Sequence, residues 1–157
     1  MQIYSWYRAG VVDDLHALVE ARLRRVEQRY TPGRRALVDA LAEADRPLTT
    51  AELMAATGPR LPQSTTYRNL SVLEQAGVAR IVFGTDEYSR FELSEELTGR
   101  HHHHLVCLSC GAVEDFEAPR PVEQSLAEAM RKLPISTGFR PETHRLDLIG
   151  TCATCAR

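Results

Sequence analysis

The sequence contains little lysine, no long apolar stretch and only a small net charge. Lys132 is the one lysine among 19 basic residues, and the net charge of the 157-residue chain is −2. That charge excludes a protein that coats nucleic acid through bulk electrostatic attraction. No apolar run reaches the roughly 18 residues of a membrane span. Residues 1–14 lack a basic start followed by an apolar core, so we expect no signal peptide and a cytoplasmic location.

The composition is that of an ordinary globular protein, with 43% hydrophobic and 25% charged residues. Its charge, however, is distributed unevenly. Between Arg22 and Arg80 there are ten arginines against six acidic residues, whereas the part after His101 carries six basic and seven acidic residues. The pattern indicates a mildly basic N-terminal half and a neutral C-terminal half that carries all the cysteines and most of the histidines.

Four segments of the N-terminal half have apolar residues at the three- and four-residue spacing of an amphipathic helix. The predicted helices span residues 11–29, 32–44, 51–57 and 64–76. Thr31 followed by Pro32 is typical of a helix start, and Thr50 is the expected N-cap of the third helix. Gly77 is expected to follow the end of the fourth helix.

A predicted β-hairpin follows the fourth helix. The strand patterns Val78–Phe83 and Tyr88–Leu93 flank a four-residue turn that begins at Gly84. Helix, helix, turn, helix and hairpin is the order of a winged helix-turn-helix, in which the last helix enters the DNA major groove. A generic small helical domain with a hairpin has the same order, and the pattern alone leaves both interpretations open.

After residue 94 the pattern changes. Residues 95–100 are predicted to be a hinge between an N-terminal domain, 1–94, and a C-terminal domain, 101–157. The C-terminal domain has strand patterns at 105–108, 113–116 and 143–149 and a helix pattern at 121–133. We therefore predict the α+β class. A domain this small is expected to need stabilisation beyond its hydrophobic core.

All four cysteines lie in two C-x-x-C pairs, Cys107 with Cys110 and Cys152 with Cys155. Two such pairs can supply the tetrahedral four-thiolate shell that zinc prefers. The 41 residues between the pairs exceed the spacing of a compact zinc ribbon, so the ion would tie the last segment of the domain to its first hairpin. Two disulfides, a redox C-x-x-C and four unrelated cysteines are the alternatives, and the expected compartment and the paired spacing favour zinc.

Four consecutive histidines, His101 to His104, precede the first cysteine pair. In an extended strand the side chains alternate, so His101 and His103 would share one face and His102 and His104 the other. Each pair could chelate its own ion, and neutral imidazole suits zinc, iron, nickel or copper. An expression tag and a solvated linker are the other interpretations of this run.

Several of these segments together resemble the ferric uptake regulator family, including its zinc-sensing and peroxide-sensing branches. The segments are Thr66-Tyr67-Arg68-Asn69-Leu70, Phe91-Glu92-Leu93, HHHHLVCLSCG and THRLDLIGTCATC. The resemblance runs from Thr31 to the C-terminus. It implies a homodimeric, metal-dependent repressor, not an enzyme, with a winged-helix N-terminal domain and a small α/β dimerisation domain.

The resemblance also implies three sets of metal ligands. The structural zinc set comprises Cys107, Cys110, Cys152 and Cys155. A site inside the dimerisation domain comprises His101, His103, Glu123 and His144. The sensory site between the domains comprises Glu92, His102 and His104, with Asp115 as a carboxylate ligand of the peroxide-sensing type. Fe²⁺ or Zn²⁺ are the leading candidates for the second metal, and Mn²⁺ is the third.

The chain departs from the family pattern at the sensory site. Pro47 stands where the DNA-binding domain of the iron-sensing branch has a histidine ligand, and proline cannot ligate. Arg80 and Ser94 stand near the aspartate and cysteine of the zinc-sensing branch. Asp115 is expected to compensate, and His16 is a further candidate if it is not simply a surface helix residue. The sequence therefore leaves the sensed metal open.

For DNA binding, the resemblance indicates the start of the fourth helix and of the second. The predicted contacts are Arg34, Arg35, Ser64, Thr65, Thr66, Tyr67 and Arg68. Arg68 suits a bidentate guanine contact, with a phosphate contact as the alternative. Tyr67 would contact a thymine methyl or the backbone unless it packs in the core. Arg34 and Arg35 are expected to contact phosphates, unless they lie on a solvated helix face.

The expected partners are an operator DNA duplex and a second copy of the chain, with no membrane and no small-molecule substrate. A metal that binds the closed dimer more tightly than the open one would favour the DNA-binding form. A zinc hydrolase or deaminase would need an open coordination position beside a general acid or base, and the sequence lacks their motifs. A zinc-stabilised protein-interaction module without a DNA role is the third interpretation.

Overall fold

The computed structural model describes residues 11–157, so most of the segment on which the signal-peptide prediction rests lies outside the described residues. The chain divides into two compact units, with the boundary between Arg100 and His101. The helices are α1 (Val11–Arg25), α2 (Pro32–Glu43), α3 (Thr50–Thr57), α4 (Gln63–Gln75), α5 (Glu95–Thr98) and α6 (Arg120–Thr137). The strands are β1 (Leu48–Thr49), β2 (Ala79–Phe83), β3 (Ser89–Leu93), β4 (His103–Cys107), β5 (Val113–Phe116) and β6 (Asp147–Gly150). None of the helices in residues 11–157 has the length and apolar character that a membrane crossing requires.

Helices α2 and α3 begin where threonine side chains satisfy free backbone N–H groups. The backbone N–H of Arg34 donates to Oγ1 of Thr31 at 3.4 Å, so Thr31 is the N-cap of α2 as predicted. The N-cap of α3 is Thr49 and not the predicted Thr50. The reason is a capping box, in which Thr49 and Glu52 each accept from the other's backbone N–H.

The hydrophobic core of the first unit includes the N-terminal helix. Leu15, Val19 and Leu23 of α1 are all buried in it, which makes α1 a structural part of this unit. Apolar residues of α2 and α4 at helical spacing are buried as well, namely Leu37, Val38, Leu41, Leu70 and Leu73. Each such side chain contributes about 1.5–3 kcal/mol when removed from water. Helix α1 ends at Arg25, four residues before its predicted end.

A three-stranded antiparallel sheet in the order β1-β3-β2 completes the first unit. Strands β2 and β3 form the predicted hairpin, with Ile81 opposite Phe91. The two-residue β1, which the sequence did not predict, pairs with the other edge of β3. In the hairpin turn, Arg90 donates to both carboxylate oxygens of Asp86 at 2.6 and 2.7 Å, which lowers the pKa of Asp86. This order of helices and sheet is that of a winged helix-turn-helix.

The predicted hinge, residues 95–100, contains the short helix α5 and lies within the first unit. Helix α5 ends at Thr98 and is followed by Gly99, whose φ of 65° favours glycine. The Arg22 side chain of α1 donates to Oγ of Ser94 and to Oε2 of Glu96, each at 3.2 Å. Residues 95–98 are therefore an ordered part of the first unit, held by α1.

The second unit is a three-stranded sheet with one long helix. Its strand order is β5-β4-β6, with β4 antiparallel to β5 and parallel to β6. Parallel neighbours need a crossover connection, and α6 lies in that connection. Helix α6 continues past Pro134 to Thr137, one turn beyond its predicted end at Leu133. Strand β6 begins only at Asp147, four residues after the start of the predicted strand. Helices with two small sheets confirm the predicted α+β class.

Candidate metal centres and DNA-reading surface

The four cysteines come together in the second unit. Their sulfur atoms all lie within 4.8 Å of one another, and those of Cys110 and Cys152 are 3.8 Å apart. A tetrahedral ion with Zn–S bonds of about 2.3 Å requires sulfur atoms about 3.8 Å apart. All four are free thiols, so the residues present fit a four-thiolate zinc shell.

Backbone N–H groups favour the thiolate form of Cys107, which is buried at the end of β4. Its sulfur accepts from the N–H of Cys152 at 3.3 Å. This bond, with others from the N–H groups of Cys110 and Ser109, lowers the pKa of Cys107 to about 6. Hydrogen bonds from its thiol to Cys152 and Cys110 raise the pKa of Cys155 to about 12. A bound divalent cation would replace the remaining protons and hold all four residues as thiolates.

A second cluster places three imidazoles around the carboxylate of Glu123. Nε2 of His103 is 2.6 Å from Oε1 of Glu123, and Nε2 of His144 is 3.1 Å from Oε2. The Nε2 atoms of His101 and His144 are 3.2 Å apart. Ligand atoms around one ion at about 2.0–2.2 Å stand roughly 2.9–3.6 Å apart. The structure therefore brings these four residues together with the spacing of a metal site.

Separate segments of the second unit position this cluster. His103 is the first residue of β4 and His101 precedes it by two residues, with the two ring centroids 4.7 Å apart. Glu123 lies in the first turn of α6. His103 is only 2% exposed, and its hydrogen bond is the main cause of the lowered pKa of Glu123. An ion held here would connect α6 to the sheet.

His102 and His104 form a second histidine pair, with ring centroids 5.4 Å apart. Asp115 of β5 lies beside both, with oxygens 3.7 Å from Nε2 of His102 and 3.9 Å from Nε2 of His104. Asp147 of β6 lies 3.5 Å from Nδ1 of His104. A carboxylate at Nδ1 favours the tautomer in which Nε2 carries no proton and can act as a metal ligand. Sequence reasoning missed Asp147, because its place beside His104 follows from the parallel register of β4 and β6.

Glu92, the other member of the predicted sensory set, lies on β3 of the first unit. Its side chain is buried, and its carboxylate accepts a hydrogen bond from Arg80 of β2. Arg80 also pairs with Glu95 at 2.9 Å. Burial lowers the pKa of Arg80, but the two carboxylates outweigh it and the net pKa is raised. A metal ligated by Glu92 would share that carboxylate with the guanidinium of Arg80, which is permanently positively charged.

His16, the further candidate ligand, lies on α1 and its side chain contacts Asp39 of α2. Its side chain is buried, with Nδ1 2.6 Å from Oη of Tyr30 and Nε2 3.1 Å from Oδ1 of Asp39. Burial is also the main cause of the raised pKa of Tyr30. Because the two nitrogens contact different partners, His16 serves as a polar link within the first unit. It is neither the surface residue nor the sensory ligand that the sequence suggested.

Helix α4 exposes part of the surface predicted to read DNA. Ser64 and Arg68 are exposed, Thr65 is half-buried and Tyr67 is 53% exposed, so Tyr67 does not pack in the core. Arg35, in the first turns of α2, is exposed as well. These five side chains are accessible to a ligand outside the first unit.

Two of the predicted DNA contacts are buried instead, and their predicted roles are corrected. Thr66 is fully buried, and its hydroxyl donates to the carbonyl of Pro62 at 3.3 Å. Arg34 is only 8% exposed, and its guanidinium donates to three oxygen atoms of the protein itself. Neither side chain faces solvent, so neither is placed to contact a base or a phosphate.

A winged helix whose fourth helix is partly exposed, joined to a unit with clustered metal donors, is the arrangement of metal-responsive transcription regulators. The sequence pattern of the Ferric uptake regulator family matches residues 25–149. The chain belongs to this family, whose members are transcription regulators and not enzymes.

Comparison with individual proteins agrees with this assignment. The peroxide-responsive repressor PerR of Staphylococcus aureus (strain USA300) is 31% identical over 145 residues, which cover 89% of this chain and 92% of that protein. The Vibrio cholerae ferric uptake regulator is 28% identical, with a TM-score of 0.65 over 85% of this chain and 98% of that chain. The Helicobacter pylori ferric uptake regulator is 18% identical but has a TM-score of 0.76 over 95% of both chains, which supports the fold.

Proposed function

We propose that this protein is a repressor that binds a palindromic DNA operator as a homodimer when it is loaded with a divalent metal. The observation that carries the proposal is the combination, in one chain, of an exposed reading helix with clusters of metal donors. The 31% identity to a peroxide-responsive repressor supports repression as the mode of action. A zinc hydrolase has no support from the family.

The reading helix α4 would enter the major groove with its exposed first turns. Arg68 can donate two hydrogen bonds to O6 and N7 of a guanine. Tyr67 would place its ring against a thymine methyl or its hydroxyl against the backbone, with Ser64 and Thr65 beside it. Arg35 would contact a phosphate, which fixes the position of the domain on the duplex without reading its sequence.

The exposed apolar surface of the second unit supports a homodimer. Helix α6 has 18 residues and none of them is buried. Its apolar residues recur at helical spacing, at Val122, Leu126, Met130 and Leu133. All four residues of the edge strand β6 are exposed, including Ile149 at 62%. An amphipathic helix and an unpaired strand edge are surfaces that a second copy of the chain would cover.

Ile149→Asp is expected to convert the dimer to a monomer. An unpaired charge buried in an interface costs about 3 kcal/mol or more, so the dimer Kd should rise by at least about 100-fold. Sedimentation equilibrium measures this Kd. Tyr88→Ser is the matched control, since it removes a large side chain that is 68% exposed from the hairpin of the first unit. An Ile149→Asp protein with the wild-type Kd would exclude the β6 edge from the interface.

The metal clusters would have different tasks. Four thiolates leave no open coordination position, so the cysteine cluster would hold a structural zinc ion. His101, His103, Glu123 and His144 would hold a second divalent ion, and histidine with carboxylate suits Fe²⁺ or Zn²⁺, with Mn²⁺ third. The sensory ion would be held by Glu92, His102, His104 and Asp115.

Metal would regulate DNA binding through a difference in affinity. An ion shared by both domains would bind the DNA-competent arrangement of the dimer more tightly than other arrangements. It can shift the equilibrium only by that difference. The positive charge of Arg80 beside Glu92 would weaken the attraction for a cation and so favour exchangeable binding.

Selection of duplexes from a random library tests the proposal. The full-length, zinc-loaded protein is supplied with additional Zn²⁺, with Mn²⁺ or, without oxygen, with Fe²⁺. We expect enrichment of duplexes with two inverted half-sites only when the additional metal is present, because a symmetric dimer presents two reading helices. A variant with Tyr67→Ala and Arg68→Ala is the control and should enrich none. If the wild-type protein enriches no duplex with any metal, the interaction-module interpretation is favoured instead.

A further inference from the structure

A buried hydrogen-bond network connects the start of α2 to the reading helix α4. Nε of Arg34, on α2, donates to Oδ1 of Asn69, on α4, at 3.3 Å. The other guanidinium nitrogens donate to the carbonyl of Arg29 at 2.5 Å and to Oε1 of Gln28 at 2.9 Å. One side chain thus joins α2, α4 and the segment that follows α1.

The network lies where α2 and α4 approach each other closely. Arg34 and Asn69 are each only 8% exposed. A Cβ added at Gly33 would stand 2.7 Å from Cδ2 of Leu61 and 3.3 Å from Nδ2 of Asn69, so the absence of a side chain there permits the approach. Water has little access to replace a lost partner of the guanidinium, and each of its bonds therefore constrains the segments that it joins.

We infer that Arg34 is a positioning residue for the reading helix. This inference rests on the proposed DNA-binding function. Through Asn69, Arg34 fixes the orientation of α4 in which Tyr67 and Arg68 face outward. Through the carbonyl of Arg29 it also holds the segment after α1 at a set place relative to α4. The surface offered to DNA is thereby preorganised before the duplex binds.

Loss of a positioning arginine and loss of a phosphate-binding arginine change the salt dependence of DNA binding differently. The logarithm of the DNA-binding constant falls linearly with the logarithm of the salt concentration, and each lost phosphate contact makes this slope shallower by about 0.9. Loss of a positioning residue removes no phosphate contact and so leaves that slope unchanged, but it weakens the base contacts that read the sequence. Arg34 and Arg35 are neighbours in the sequence, one buried and one exposed, and so form a matched pair.

The test compares Arg34→Met with Arg35→Ala in the full-length, metal-loaded protein. Fluorescence anisotropy between about 50 and 200 mM salt gives Kd for the duplex that the wild-type protein enriches and for a scrambled duplex. We expect Arg34→Met to reduce the ratio of specific to non-specific affinity by about 10-fold or more, as a lost base contact does, with the slope unchanged. Arg35→Ala should keep the wild-type ratio of specific to non-specific affinity and make the salt slope shallower by about 0.9 for each bound chain.

Asn69→Ala is the second variant, because it keeps Arg34 and removes only the acceptor on α4. If thermal melting shows that Arg34→Met does not fold, Asn69→Ala is tested in its place. The same reduction in the ratio of specific to non-specific affinity is expected. The inference is overturned if either folded variant keeps the wild-type ratio of specific to non-specific affinity. It is also overturned if the salt slope of Arg34→Met becomes as shallow as that of Arg35→Ala. A wild-type protein that binds both duplexes equally overturns the proposed DNA-binding function first, and the inference with it.

Discussion

Cys152→Ser is expected to unfold the second unit and to abolish its zinc binding. Structural zinc contributes about 10 kcal/mol or more to the folding of a small domain. A unit of this size has only about 3–9 kcal/mol of net stability in total. Cys152 also donates its backbone N–H to the sulfur of Cys107 at 3.3 Å, so its thiolate and its backbone belong to the same site.

Ser109→Ala is the matched control for this substitution, since it lies within the first C-x-x-C turn and keeps all four thiols. Metal analysis after dialysis against a weak chelator should find one zinc ion per chain in the wild-type and Ser109→Ala proteins. Cys152→Ser should retain none and should lose the thermal transition of the second unit. A metal-free Cys152→Ser dimer that melts at the wild-type temperature would show that the cysteines do not stabilise the fold through zinc.

Paired substitutions are expected to separate the roles of the two histidine faces. His102→Ala with His104→Ala should lower the affinity for the sensory metal by more than about 100-fold, since loss of one outer-shell partner alone costs 10- to 100-fold. DNA binding should then no longer respond to metal. His101→Ala with His103→Ala should instead lower thermal stability, because buried His103 contacts Glu123 at 2.6 Å and connects β4 to α6.

Isothermal titration with Mn²⁺ and Zn²⁺ measures the metal affinity of both paired variants, and anisotropy measures their DNA binding. The assignment of the two faces must be exchanged if the first pair keeps full metal-dependent DNA binding while the second pair loses it. The cluster of His101, His103, Glu123 and His144 would then be the sensor.

Local patterns in the sequence predicted the elements whose geometry is set by neighbouring residues. The two C-x-x-C pairs predicted four converging sulfurs, and alternation along a strand predicted the separate pairing of His101 with His103 and of His102 with His104. Helical spacing predicted that α2 and α4 are amphipathic helices. In each case the period of the backbone decides which side chains share a face.

The sequence could not predict features that depend on tertiary register. Arg34 and Thr66 look like surface residues in a helical pattern, yet close packing of α2 on α4 buries both. Asp147 reaches His104 only because β6 pairs in parallel with β4. Helix α6 continues through Pro134, one residue after its predicted end at Leu133, and Gly138 follows its last residue with a φ of 75°.

The central claim is that a divalent metal other than the structural zinc controls DNA binding by this chain. The most direct measurement is the Kd for the enriched duplex, by fluorescence anisotropy at fixed salt, with the zinc-loaded protein before and after addition of Fe²⁺, Mn²⁺ or excess Zn²⁺. Couplings between metal and ligand sites commonly amount to about 5- to 150-fold, and we expect a decrease in Kd of that size for at least one ion. Equal Kd values with and without every one of these ions would contradict the account.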